Sequence, residues 1–260
     1  MSDISSKILV VIPHSSEIIP EEIDTDNIND VVSDEIYFEI DEGTEYIYDF
    51  RKDLHNQQLL FSWHRAFIDV NQDPDVLDNS IPVKTFFDHD LYLNEPSETM
   101  RRVLLNKYHA VFHQALSRKA EDAIMIFDSH STSVGDVDEF GDRFDSDISV
   151  ANCQVQSDSD KTYKDTCNID LMNYYVDYLD KEFKGKYTIG INTKYLLNTF
   201  GYIEGRYGQS QGLPYSTPVL LQEINEALYT DEKGHFDIKE MEYLRIAFAN
   251  ALKFSAEKFF

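Results

Sequence analysis

The sequence is poor in cysteine, in positive charge and in long apolar runs, and each shortage narrows what the chain can be. Its 260 residues include 2 cysteines, Cys153 and Cys167. Neither stands in a CxxC spacing, so no thiolate zinc site is expected, and free thiols fit a reducing compartment. Lysine and arginine number 23 against 48 acidic residues, a net charge of −25. Such a surface disfavours nucleic acid and anionic membranes as partners, and an anionic substrate would need local arginines. No apolar run approaches the ~20 residues that span a bilayer. Residues 1–7 lack the basic patch and apolar core of a secretion signal, so the cytoplasm is the expected location. The glycine-rich stretch 201–208 lacks the GxGxxG order, which excludes a nucleotide loop of that kind. No internal repeat or linker is visible, and residues 1–260 read as a single domain.

What the chain does have is a 42% hydrophobic fraction, enough for one large α/β domain. Residues 7–13, 123–127 and 218–223 are apolar runs of strand length, the pattern of strands in a mostly parallel sheet covered on both faces. Residues 59–64 and 65–70 also look like strand material, and 187–192 is a further β-like run. Helices are expected over 97–116, capped by Ser97, over 169–183, and from a capping box Asp237-x-x-Glu240 to the end. Residues 21–42 are acidic, with a short helix. Residues 134–164 are long for a loop and read as a functional excursion.

The strand ends carry the chemistry. The run at 123–127 stops on Asp128-Ser-His130, and the first run stops just before His14. Ligands sit beyond the carboxyl ends of strands in such sheets, and a neutral imidazole there is a good zinc ligand, oriented by a neighbouring carboxylate such as Asp128. His14 and Glu17 have HxxE spacing, while Asp41 is either a helix cap or a carboxylate facing the metal. Glu223 ends the late apolar strand, where partial desolvation suits a general base. Asp69, Asn71 and Pro74 mark a turn. His109 and His113 are four apart on a helix, but without the HExxH arrangement; one of them is expected to pack or hydrogen-bond near the site, and neither to be a ligand. Arg206 is a cation suited to a substrate carboxylate.

Taken together, residues 12–16 with Pro20, 69–74, Tyr108-His109 with 113–116, 128–131, 201–203 with Tyr207-Gly208, and 221–225 with Leu228-Tyr229 resemble the N-formylglutamate amidohydrolases, in that family's order. The resemblance implies a phosphorylase/hydrolase-like, zinc carboxypeptidase-like α/β fold: a mixed central β-sheet flanked by helices on both faces, related to aspartoacylase, with a single Zn²⁺. It implies His14 and His130 as metal ligands, Glu17 or Asp41 as the third, Glu223 as general acid/base, and Asp128 and His113 behind them. The family's Asp-x-Asn-Arg motif has Gln72 in place of arginine. Asn71 can still hydrogen-bond substrate, and Arg65, Arg143 or Arg206 would have to supply the missing charge. The implied function is zinc-dependent hydrolysis of a small N-acyl amino acid, the substrate altered by Gln72. The alternatives are a zinc carboxypeptidase or amidase acting on a peptide or cell-wall fragment, and a non-catalytic binding protein that retains the fold. Oligomeric state stays open.

Overall fold

Five consecutive apolar residues, Ile8–Ile12, form β1, and all are buried. Successive side chains of a strand point to opposite faces, and here the two faces serve two cores. Ile8, Val10 and Ile12 pack with Leu171, Tyr175, Leu244 and Phe248, whereas Leu9 and Val11 pack with Phe67, Phe112 and Leu116. The first core belongs to the helices Ile169–Phe183 and Ile238–Phe259, the second to the helix Ala110–Ala120. A strand covered on both sides has no need of polar alternation, which is why β1 is apolar throughout. The computed structural model describes residues 4–132, 146–157, 162–192, 201–208, 217–231 and 233–260.

Further strands are β2 (Gln57–Leu60), β3 (Met125–Thr132), β4 (Ile148–Ala151), β5 (Cys153–Ser157), β6 (Thr162–Asp165), β7 (Ile189–Ile191) and β8 (Val219–Asn225). Among the described residues β1 and five of these make one sheet in the order β2-β1-β3-β8-β4-β7, and β5-β6 pair separately. Every pairing in the large sheet is parallel except β4 with β8. The sheet is therefore mixed and flanked by helices on both faces, as expected. β1, β3 and β8 run side by side in the same direction, so their carboxyl ends open on one edge.

Three sequence expectations change. Residues 65–70 are a turn and irregular backbone, not a strand, although Ala66, Phe67, Ile68 and Val70 are all buried. Their apolar spacing reflects packing under the sheet rather than pairing within it. The helix expected over 97–116 begins where Ser97 accepts a hydrogen bond from Met100 N, but it is interrupted by a π-turn at Leu105–His109 and then runs on to Ala120. The glycine-rich stretch holds a short helix, Tyr202–Tyr207. The last helix starts as expected, with Asp237 accepting from Lys239 N and Glu240 N. The Glu240 side chain instead turns to Lys186 and Tyr187. Cys167 is buried. Of the 134–164 excursion, residues 134–145, Arg143 among them, and 158–161 lie outside the described residues.

Candidate metal centre

His14 sits two residues beyond β1 and His130 near the end of β3, and the parallel register brings them together. Their ring centroids are 4.9 Å apart. Asp41 arrives from the opposite side of the turn, pinned by its own N–H to the His14 carbonyl at 3.1 Å. Gly43, at φ 76°, then caps the helix Thr44–Ile47. A side chain there would meet Met241 at 2.8 Å, so the tight turn after Asp41 depends on glycine. Asp41 Oδ2 lies 3.6 Å from His14 Nδ1 and 3.1 Å from His130 Nδ1. All three residues are buried.

The opposite nitrogens of the two rings are each held by a carboxylate. His14 Nε2 is 2.9 Å from Asp69 Oδ1, and His130 Nε2 is 3.2 Å from Asp128 Oδ2. Carboxylates in this position fix the tautomer that leaves the other nitrogen free to bind a metal. Asp69 is in turn fixed by Arg65 at 2.8 Å and by Asn71 N–H at 2.8 Å. The Asx turn read from the sequence is thus real, and the same aspartate oxygen orients His14. Sequence reasoning missed this second role because His14 and Asp69 are 55 residues apart.

Electrostatics favours a cation here. Burial pushes the Asp41 carboxyl up, but the hydrogen bond from His130 and the nearby His14 ring outweigh it and hold the group below the usual carboxylate range. For Asp69 burial is likewise opposed, by the Arg65 charge first and then by His14. Burial disfavours a charged His130, yet the carboxylates Asp128, Asp41 and Glu223 raise its proton affinity well above normal. A pocket that draws a proton so strongly onto an imidazole is one that attracts positive charge. His14 Nδ1 is buried with no hydrogen-bond partner among the described residues, and its neighbours are an imidazole nitrogen and a carboxylate oxygen. That donor set, two imidazoles and one carboxylate, suits zinc.

Glu223 lies opposite His130 in the β3–β8 register. Burial pushes its carboxyl up to about 8, with the His130 charge opposing and Asp41 reinforcing. Its Oε2 is buried without a partner among the described residues. Beneath the site, Tyr175 Oη donates to Gln222 Oε1 at 2.6 Å, Gln222 Nε2 to Tyr48 Oη at 3.1 Å, and Tyr48 Oη to the His130 carbonyl at 3.0 Å.

The remaining candidates divide. Glu17 is exposed and outside the cluster: residues 15–20 form neither helix nor turn, so the two ends of HxxE do not share a tight turn. Asp41 takes the carboxylate's place. Asn71 is central: its carbonyl and Oδ1 accept from Tyr202 N and Ile203 N, both at 2.9 Å, and its Nδ2 lies 3.3 Å from His130 Nε2. Gln72 is half-buried, and its carbonyl accepts from His109 Nε2 at 3.0 Å. Arg65 is in the site but is held by Asp69 and, at 3.7 Å, by Asp41, and it stacks over Phe86. Arg206 is exposed, its guanidinium 6.0 Å from the Tyr202 ring centre. Glu226 and Glu204 are among the buried acids that escaped sequence reasoning altogether. Glu226 accepts from Ser131 Oγ at 2.7 Å and Glu42 N at 3.0 Å. Glu204 lies against Asp128 and His130. No strand end or spacing signals either.

His113 supports the loop carrying Asn71. Its Nε2 donates to the Val70 carbonyl at 2.7 Å, and its Nδ1 meets Tyr207 Oη at 3.2 Å. Burial, then the neighbouring His109, lowers the His113 pKa to about 3. An unfolded histidine titrates near 6.5, so from there downward the unfolded chain binds a proton that the fold refuses, and stability is lost as pH falls. Glu39, Glu223 and Glu226, raised to about 7, 8 and 8, act in the opposite sense, but they cancel in a comparison with His113→Gln. Denaturant titrations should show wild type losing about 2 kcal/mol relative to that variant between pH 7.5 and 5. A pH-independent difference would refute a neutral, buried His113.

With this geometry established, likenesses to known proteins gain meaning. A family model described as N-formylglutamate amidohydrolase matches residues 6–230. The crystal structure of N-formylglutamate amidohydrolase from Ralstonia eutropha is similar with a TM-score of 0.72 and 18% identity, covering 97% of this chain and 93% of that one. A gene product of Agrobacterium tumefaciens follows at 0.64 and 18%, covering 95% and 90%. At these identities the structural likeness is one of fold. No curated protein matches the sequence.

Proposed function

This chain belongs to the N-formylglutamate amidohydrolase family, and on that footing we propose that it is a zinc-dependent hydrolase of small N-acyl amino acids. The observation that carries the reading is the convergence of His14 Nδ1, His130 Nδ1 and Asp41 Oδ2, with Glu223 beside them. These three side chains would hold the ion, leaving the open position that catalytic zinc sites keep. When bound, zinc supplies Lewis acidity, making a water easier to deprotonate and polarising the amide carbonyl.

The rest belongs to the chain itself. Glu223 Oε2 takes the water's proton and returns it to the departing amine nitrogen. Asp69 and Asp128 keep the two rings aimed at one point. Arg65, locked between Asp69 and Asp41, balances part of the negative charge. Asn71 Nδ2 faces the site from the turn that Tyr202 and Ile203 hold in place. Because position 72 offers an amide rather than a guanidinium, N-acyl amino acids with uncharged side chains should be turned over better than N-formylglutamate. Small-molecule substrates rather than nucleic acid suit the acidic surface, and among the described residues no helix is long and apolar enough to cross a membrane.

The test is hydrolysis of a panel of N-formyl and N-acetyl amino acids, before and after chelation and after zinc is restored. Activity should vanish with the metal and return with it. Turnover indifferent to a chelator would remove zinc from the reaction. Cleavage confined to peptides would replace the small-molecule reading with that of a peptidase.

A further inference from the structure

A cleft of about 730 Å³ opens beside the metal centre, and the chemistry above makes no use of it. Tyr37, Phe38, Ile40 and Glu42 line it from one segment, Glu226 and Asp231 from the turns after β8. It adjoins the ligands directly. Glu226 Oε1 accepts from Ser131 Oγ and from Glu42 N–H, and those two residues are the chain neighbours of His130 and Asp41. Glu226 is 7% exposed. Among the described residues both hydrogen bonds to its carboxyl fall on Oε1, so Oε2 is the oxygen left to the cleft. A carboxyl set this deep is held against a desolvation cost, which an opposite charge offsets.

The rest of the lining has the same preference. Tyr37 and Phe38 are 48% and 59% exposed, and their rings meet edge-on with centroids 6.5 Å apart. Aromatic faces attract cations. Tyr37 Oη donates to Glu42. That bond first, then burial and the Glu42, Glu17 and Glu226 charges, pushes the Tyr37 hydroxyl up to about 12, a mark of negative potential in the cleft. Among the described residues that line it, Lys233 is the one cation, and it is exposed; Glu42, Glu226 and Asp231 stand against it. An anionic group would meet these three carboxyls, and an apolar one would leave Glu226 Oε2 unpaired. Resting on the hydrolase reading above, we infer that this cleft receives the side chain of the substrate's amino acid, and that this side chain ends in an ammonium or guanidinium seated on Glu226 Oε2 against the Tyr37 and Phe38 rings. The substrates are then N-acyl derivatives of basic amino acids, which a surface of net charge −25 draws inward. A cation on Oε2 opposes the burial that raises the Glu226 carboxyl to about 8, so the anion forms as the cation enters.

The experiment measures kcat and KM of wild type, Glu226→Gln and Phe38→Ala on N-formyl-lysine, N-formylarginine, N-formylnorleucine and N-formylglutamate. Norleucine has the stem of lysine without its charge. Lysine, arginine and norleucine, the deacylated products, are also titrated onto each protein by calorimetry, a readout that needs no turnover. Wild type should favour a basic substrate over N-formylnorleucine in kcat/KM by roughly 10–100-fold, the worth of a hydrogen bond to a charged partner, and should hold the basic product more tightly than norleucine. Glu226→Gln keeps an oxygen for Ser131 and Glu42 N–H, and should bring both preferences close to parity with zinc content unchanged. Phe38→Ala alters an exposed side chain and leaves the core intact; it should lower the preference roughly 2–5-fold. Equal constants for basic and norleucine substrates in wild type, or a preference that survives Glu226→Gln, would overturn the inference and leave the proposed hydrolysis standing. Absence of turnover on every substrate would instead remove the hydrolysis, and calorimetry would then decide the cleft by itself. A basic product held more tightly than norleucine by wild type and not by Glu226→Gln supports the cation site; equal binding overturns it.

Discussion

Glu223→Gln is expected to lower kcat by roughly 10²–10⁴-fold, the usual contribution of a positioned general base, while zinc content and fold stay as in wild type. The substitution changes one atom of a side chain whose strand is paired on both sides, to β3 and to β4. Glu223 is not one of the groups gathered around Asp41 Oδ2, so the ion loses no ligand. What disappears is the ability of Oε2 to accept and return a proton. Steady-state rates on the best substrate of the panel, together with elemental analysis and far-UV circular dichroism, decide it. Near-wild-type turnover would mean that proton transfer runs through another group, and Glu226 would be the next carboxylate to examine.

His14→Ala should abolish zinc retention and, with it, activity. Its Nδ1 is the one donor of the three with no hydrogen bond among the described residues, and the remaining pair, Asp41 and His130, would offer two ligands where catalytic zinc sites have three. The affinity loss should exceed the roughly 100-fold upper end seen when an outer partner is removed. The fold should survive, since Asp69 keeps Arg65 and the Asn71 N–H and is not left as an unpaired buried charge. Chelator competition on the purified variant gives the number. Wild-type zinc affinity would place the ion elsewhere, and the Asp128, His130 and Glu204 group would be the first alternative.

How much of this was legible beforehand depends on what each signal physically reports. Apolar runs located β1, β3 and β8, because a strand buried on both faces must be apolar throughout. The histidines at their ends could be read because strand polarity stops where the sheet edge opens. Residues 65–70 misled for a related reason: their spacing reports burial, and burial beneath a sheet resembles membership of it. The choice between Glu17 and Asp41 was not in the pattern either. HxxE acts as a unit only within a tight turn, and residues 15–20 form neither helix nor turn. Asp69 was seen as a turn former and not as a partner of His14, since contacts between distant segments leave no local trace. Glu204 left no trace at all. Its surroundings are built by Asn71, Gly201 and Asp128, brought together only by the fold.

The line from Tyr175 through Gln222 and Tyr48 to the His130 carbonyl has a consequence for change over time. Its two middle members, Gln222 and Tyr48, both give and receive, so the sense of each hydrogen along it is set by its neighbour. Swapping any one of the three side chains reverses or breaks a polarity that the others cannot readjust alone. Loops around the mouth are free to drift toward new substrates, whereas this floor can be rewritten only as a whole.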